Sequence, residues 1–441
     1  MPPGAAPVAV IGGGLAGCEA AWQLAERGVD VVLVEMKPGE RSPAHSSDGL
    51  AELVCSNSLR GAAPDNAVGL LKEELRRAGS LLLRIADVTA VKAGRALAVD
   101  RRAFSRRVED ALAAHPGISI ERRRADDLPG AGLAIVATGP LTAGPLADAI
   151  DRHGARLAYH DAIAPLVAAD GIDLGVAFRA DRYEEAGEAA AYLNCPLDRA
   201  EYGAFVEALV AAEKIPLHAF ESAPFFEGCL PIEEMARRGP LTLAHGPLKP
   251  VGLADPRTGG RPFAVVQLRP EDAARTAYNL VGFQTRLTRP EQERVFRMIP
   301  GLGRAVFERH GQVHRNTFVD APACLDDRMR LLGRPNVALA GQLTGVEGYV
   351  ESIASGLFVG ISTAALARDR EFSSPPTTTA LGGLLRHTRR ASGRYQPSNV
   401  VWAMIDCPER PRGKGKREHR QACAERALAN LAPWIAEHAP R

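Results

Sequence analysis

The chain has no closely spaced cysteines: its seven stand at positions 18, 55, 195, 229, 324, 407 and 423. It therefore has no CxxC pair and no cysteine cluster with metal-ligand spacing. A flavin disulfide reductase, which needs two cysteines a few residues apart, is disfavoured. An odd, scattered set fits reduced cytosolic thiols. Aromatic residues are few, with 3 Trp, 7 Tyr and 13 Phe in 441 residues, so a surface built of base-stacking platforms is excluded. Neither sign of charge dominates, with Lys+Arg 54 against Asp+Glu 52, so an anionic partner must be met by a local patch. No apolar run reaches the roughly 18 uncharged residues of a membrane span. No basic segment followed by an apolar stretch and a cleavage site opens the chain. These absences lead us to expect a soluble cytoplasmic protein that uses no metal. A 46% hydrophobic, 24% charged composition excludes a disordered or fibrous chain, and the length permits two or three domains.

What is present begins with an apolar β-branched run at residues 6–11, a glycine-rich turn at 12–17, a helix-forming stretch at 18–27 stopped by Gly28, and a second apolar strand at 29–35. This is the length of one βαβ unit. The turn reads Gly12-Gly13-Gly14-Leu15-Ala16-Gly17, and Glu35 closes the second strand. Glycines permit the tight turn and a close approach of backbone to a pyrophosphate. The helix N-terminus adds positive partial charge, and the acid is placed for a ribose hydroxyl. A glycine turn that merely packs helix on strand does not explain Glu35. Two further strands of buried, parallel character run into glycine turns: 132–137, ending in Ala137-Thr138-Gly139, and 336–340, ending in Gly341-Gln342. The expected fold is α/β, a Rossmann-like FAD-binding domain with a smaller inserted α/β domain. FAD is favoured over a nicotinamide as the resident dinucleotide by analogy with two-dinucleotide flavoproteins.

Between about 168 and 310 the composition changes, with Tyr183, Tyr192, Tyr202, Phe205, Phe220, Phe225, Phe226 and many prolines. The expected organisation is an FAD-binding domain over 1–167 and 311–372, an insertion over 168–310, and a linker plus basic segment over 373–441 that packs on the FAD domain. Two cysteines stand out from the ordinary reading of a small buried hydrophobe. Cys55 lies in "LVCSNSLR" and Cys229 in "FFEGCLPIEEMARRG", both polar and marked by glycine or proline. Cys18 opens the first helix and reads as structural.

Long collinear blocks then narrow the reading. "VAVIGGGLAGCEAA", "LVCSNSLRG", "FFEGCLPIEEMARRGPLTL", "YNLVGFQTRL", "HRNTF" and "AGQLTGVEGYVESIASGL" occur in order from about residue 7 to 365. Here the chain resembles the folate- and FAD-dependent tRNA (uracil-5-)-methyltransferases. The resemblance implies that a T-loop uridine of tRNA is methylated at C5, with 5,10-methylenetetrahydrofolate as carbon donor. FAD reduced by NADPH or NADH would relay the one-carbon unit and supply hydride. It further implies that Cys229 adds to C6 of the uracil and that Cys55 removes the C5 proton. A thiolate suits the addition because C5 is a poor nucleophile until C6 is attacked. Tyr349, in "GVEGYVES", is implied as a flavin or folate contact, with core packing as its bland alternative.

Candidate phosphate contacts are Arg101/Arg102, Arg106/Arg107, Arg122–Arg124, Arg389/Arg390, the basic stretch at 410–420 and, as the best wager, Arg237 and Arg238, a turn or two beyond Cys229. The competing readings are flavin-dependent modification of a different RNA uridine, ribosomal or wobble, and a non-catalytic flavin-containing RNA-binding protein. Binding alone needs neither Cys55 nor Cys229.

Overall fold

The computed structural model describes residues 6–154, 156–183, 187, 189–216, 225–389, 395–413 and 415–440. Phe220, Arg390 and Lys414, raised above, lie outside the described residues. The chain opens with β1 (Val8–Ile11), α1 (Leu15–Ala25) and β2 (Val31–Glu35). Val8, Val10, Ile11, Val31 and Leu33 are buried, which is what β-branched and apolar side chains require of a strand covered on both faces. β1 pairs in parallel with β2 on one side and with Ala134–Val136 on the other; Val10 stands opposite both Leu33 and Ile135. Ile118–Arg122 extends the sheet beyond β2, and Arg334–Leu339 extends it beyond Ala134–Val136, both in parallel. The short strand Arg330–Leu331 adds an antiparallel edge. Strand order therefore reverses at β1, and the crevice beyond the carboxyl ends of β1 and Ala134–Val136 is the place where such sheets bind ligands.

The helix Tyr349–Ala367 crosses α1 at close range because its small residues permit it. A Cβ on Gly356 would stand 2.2 Å from the Ala16 carbonyl oxygen, and one on Gly360 2.8 Å from that of Ala20. By length and hydropathy this helix resembles a membrane span, yet 89% of its most apolar window is buried inside the protein.

A second core lies between the strands of the first sheet in chain order. Its six-stranded sheet pairs Phe178–Arg179, Leu193–Leu197, Ala264–Pro270, Ala277–Leu280, Leu166–Ala168 and Phe307–Arg309, all antiparallel. Aromatic side chains fill it: Phe283 packs against Phe205 and Phe296, with ring centroids 6.1 and 5.3 Å away. A two-stranded antiparallel ribbon, Arg156–Ile163 with Gln312–Val319, carries the chain into and out of this sheet. The last helix, Lys416–Glu437, lays Ala424, Ala427, Leu431 and Trp434 onto the first core.

Candidate active site

The glycine turn is shaped for a close-lying phosphate group. Gly12 has φ +104°, and a Cβ there would meet the Ala137 carbonyl oxygen at 2.6 Å. A Cβ on Gly17 would lie 1.9 Å from the Gly12 carbonyl oxygen, whereas Gly14 faces open space. No side chain caps the α1 N-terminus, so its first N–H groups are left for a ligand. The buried Glu35 carboxylate accepts hydrogen bonds from the Gly13 N–H at 2.7 Å and the Lys37 N–H at 2.9 Å. Ala137 joins this turn through its N–H on the Ile11 carbonyl, 2.7 Å. Thr138 bonds Thr142 at 2.7 Å, and Gly139 takes φ +76°. Gly341, at φ +74°, approaches the same helix start, since a Cβ there would lie 2.9 Å from that of Ala16. Leu15 and Ala16 are buried in the first turn of α1. These residues form one continuous, side-chain-poor cradle at the switch point and fit a dinucleotide.

Beside the cradle, Cys55 and Cys229 come together although 174 positions separate them in the chain. Both are half-buried, and both sense the same two carboxyl groups, Asp161 and Glu347. The Cys55 segment is held from several directions. Tyr349, the first residue of its helix, accepts hydrogen bonds at its hydroxyl from the Cys55 N–H at 2.7 Å and the Ser56 N–H at 3.1 Å. Arg309 donates to the carbonyls of Val54 and Cys55 at 2.9 and 3.0 Å. Asn57 donates to the Pro270 carbonyl at 2.9 Å and accepts from Arg269 at 2.8 Å, which ties the segment to the antiparallel sheet. Arg60 pairs with the buried Glu351.

Cys229 ends the short turn Glu227–Cys229, which is zipped to the ribbon. Phe225 bridges His160, the Phe226 N–H donates to the His160 carbonyl at 3.0 Å, and the Cys229 N–H donates to the Phe226 carbonyl at 3.0 Å. Asp161 is thereby placed under the thiol.

The electrostatics follow from burial. Desolvation first, then the Asp161 charge, pushes the Cys55 thiol up to about 12, against the pull of Arg309 and Arg101. The Cys229 thiol is raised well above its usual value by burial, Asp161, Cys55 and Glu347. Burial raises Asp161 to about 6, and burial with the Asp161 charge raises Glu347 to about 7. Glu347 is held by the Tyr159 hydroxyl and by Gln342 Nε2, 3.0 and 2.9 Å from its two oxygens. In the resting protein both thiols therefore carry their protons.

Several residues that shape this site have no signal in composition or spacing: Asp161, Tyr159, His314 and Asn316 on the ribbon, Arg309, and Glu347. Glu347, His314 and Asn316 lie inside the collinear blocks, but nothing local marks them. Among the arginines, Arg101 is no solvated phosphate contact: it pairs with the buried Glu271 at 2.7 Å and faces Cys55. Arg122, Arg123 and Arg124 each pair with an acid, Glu109, Glu121 and Glu40. Arg389 donates to the Asp327 carbonyl and lies 5.5 Å over the Phe358 ring. Arg237 and Arg238 are exposed at the end of the helix Ile232–Arg237, the former 3.7 Å from Glu234. No group of three or more His, Cys, Asp or Glu side chains among the described residues is arranged to hold a metal.

Known proteins give this geometry its setting. The family model for glucose inhibited division protein A matches residues 7–371. A protein named methylenetetrahydrofolate--tRNA-(uracil-5-)-methyltransferase TrmFO from Geobacter sulfurreducens is 56% identical over 432 residues, covering 97% of this chain and 99% of its own length. One of the same name from Anaeromyxobacter dehalogenans is 58% identical over 435 residues, covering 97% and 96%. The crystal structure of Aquifex aeolicus GidA superposes with a TM-score of 0.71 at 16% identity, over 98% of this chain and 73% of that one, a likeness of fold. The family match and these relatives show that this chain belongs to the glucose inhibited division protein A family and, within it, to the methylenetetrahydrofolate--tRNA-(uracil-5-)-methyltransferases.

Proposed function

We propose that this protein is a cytoplasmic enzyme that methylates C5 of the T-loop uridine of tRNA, taking its carbon from 5,10-methylenetetrahydrofolate. FAD, reduced by NADPH or NADH, supplies the reducing equivalents and the one-carbon relay when bound. Gly12, Gly13, Gly14, Leu15, Ala16, Gly17 and Glu35 hold it, with Ala137, Thr138, Gly139, Gly341 and Gln342 closing the cradle. The observation that carries the reading is the meeting of Cys55 and Cys229 over one pair of carboxyl groups beside that cradle. A uracil lying between the sulfurs presents C6 to one and the C5 hydrogen to the other. Cys229 adds to C6, which makes C5 nucleophilic. Cys55, once its own proton has passed to solvent, takes the C5 proton as a thiolate that Arg309 and Arg101 favour. Arg237 and Arg238, exposed beyond Cys229, receive tRNA phosphates.

The test is incubation of the purified protein with unmodified tRNA transcript, methylenetetrahydrofolate and NADPH, followed by nucleoside mass spectrometry and mapping of the modified position. 5-Methyluridine in the T-loop is expected. No product with any tRNA refutes the activity, and product confined to another position refutes the target. Cys229→Ala should abolish transfer with the flavin spectrum near normal, whereas Cys55→Ala should stall with RNA attached through Cys229 on a denaturing gel.

A further inference from the structure

In the ribbon, Tyr159 stands opposite Asn316 and Asp161 opposite His314. Alternation along each strand puts these four side chains on one face, the face that looks toward Cys229. Asp161 takes side-chain hydrogen bonds from Cys229 and from Asn316, yet its Oδ1 is buried with no partner. An unpartnered carboxylate oxygen in a closed environment is costly to keep and calls for a donor. The Cys229 thiol, hydrogen-bonded to Asp161, is a movable proton within its reach.

We propose that Asp161 is the general base for Cys229: it takes the thiol proton as the sulfur adds to C6 of the uracil. The inference rests on the reading of Cys229 as the nucleophile. As the S–H proton passes to a carboxylate oxygen of Asp161, a sulfur electron pair forms the S–C6 bond, and the C5=C6 π pair moves to C5, shared with O4. When the product forms, the C6–S bond breaks and the proton returns from Asp161 to sulfur. Transfer to Asp161 avoids placing two negative charges side by side. A thiolate beside an ionised carboxylate is repelled, but a thiolate beside the neutral acid keeps a hydrogen bond, and the net charge of the pair is unchanged.

The neighbouring groups do not fill this role. Both Glu347 oxygens are already held by Gln342, and one of them also by Tyr159. The His314 ring has a buried, unpartnered Nε2, but it senses Arg309 rather than the thiol. Cys55 also senses the Asp161 charge, but Arg309 and Arg101 oppose it there, whereas Cys229 hydrogen-bonds Asp161 directly.

The experiment compares wild type, Asp161→Asn and Asp161→Glu as flavin-loaded enzymes. One measurement is the rate of covalent adduct formation with tRNA containing 5-fluorouridine, in the presence of methylenetetrahydrofolate and NADPH. The other is the rate at which iodoacetamide alkylates Cys229 without RNA. For the Asn variant, adduct formation should fall by about 10²–10⁴-fold, the usual worth of a general base. Alkylation should hold steady or rise, because a repelling charge has gone. The Glu variant should recover part of the adduct rate. An Asn variant whose adduct rate stays within about tenfold of wild type overturns the proposal. So does a Glu variant that binds flavin and alkylates normally but forms no adduct, and this variant decides the matter if Asn costs the protein its flavin. Wild type that yields neither adduct nor 5-methyluridine refutes the reading of Cys229 itself, a result distinct from either.

Discussion

Tyr349→Phe removes one oxygen atom and keeps the ring. In this structure that oxygen accepts two backbone N–H groups, Cys55 at 2.7 Å and Ser56 at 3.1 Å. Each donor left without an acceptor in a closed environment costs about 1–3 kcal/mol, so the pair sets an upper range of about 2–6 kcal/mol. The segment is half-buried, so water relieves part of this, and the remainder is felt locally because Arg309 still holds the carbonyls of Val54 and Cys55. A local loss of about 2 kcal/mol multiplies the open population of the Cys55 segment by roughly 30-fold. Alkylation of Cys55 by iodoacetamide, followed by peptide mass spectrometry, should accelerate by about that factor, while alkylation of Cys229 should change little. Methyl transfer should fall with flavin content unchanged. If Cys55 reacts at the wild-type rate and the variant loses affinity for flavin or folate instead, Tyr349 acts on a ligand and the reasoning is wrong.

Three further outcomes are expected. Gly17→Ala forces a Cβ against the Gly12 carbonyl oxygen, 1.9 Å away, so the purified variant should carry little flavin by visible absorbance while circular dichroism shows a folded protein. Glu74 is buried and accepts the Ala380 and Leu381 N–H groups at 2.7 and 2.8 Å; burial raises its carboxyl to about 8. The folded protein thus keeps a proton there that the unfolded chain releases above about 4.5. Wild type should lose stability relative to Glu74→Gln as pH rises from about 4.5 to 8, checked by denaturant titrations at both ends; a difference that does not move with pH refutes the buried-acid account. Arg237→Ala with Arg238→Ala should weaken tRNA binding and flatten the slope of log affinity against log salt by about 1–2, measured by filter binding. An unchanged slope places the RNA elsewhere.

Much of the glycine cradle is legible in the sequence because it is local chemistry. A β-branched run, a turn only glycine can make and an acid at the end of the next strand lie within about 30 residues, the span of one βαβ unit. Gly12 at φ +104° and Gly17 against the Gly12 carbonyl show why those positions carry no side chain. The aromatic content between 168 and 310 likewise marked a different core, though composition did not foretell that its sheet is antiparallel.

The sequence by itself determined the buried parallel strands, the glycine turns and the two cysteines in polar surroundings, since each is set by residues a few positions apart. Only the tertiary structure decided what those cysteines face. Asp161 reaches Cys229 through the pairing of Phe225 with His160, Glu347 arrives ahead of the helix Tyr349–Ala367, and Arg309 arrives at the end of an antiparallel strand. Arg101, which looks in sequence like any solvated arginine, turns inward because Glu271 is buried opposite it. Such contacts depend on chain closure over dozens to hundreds of residues and on the low dielectric that burial creates. No short window of sequence contains either.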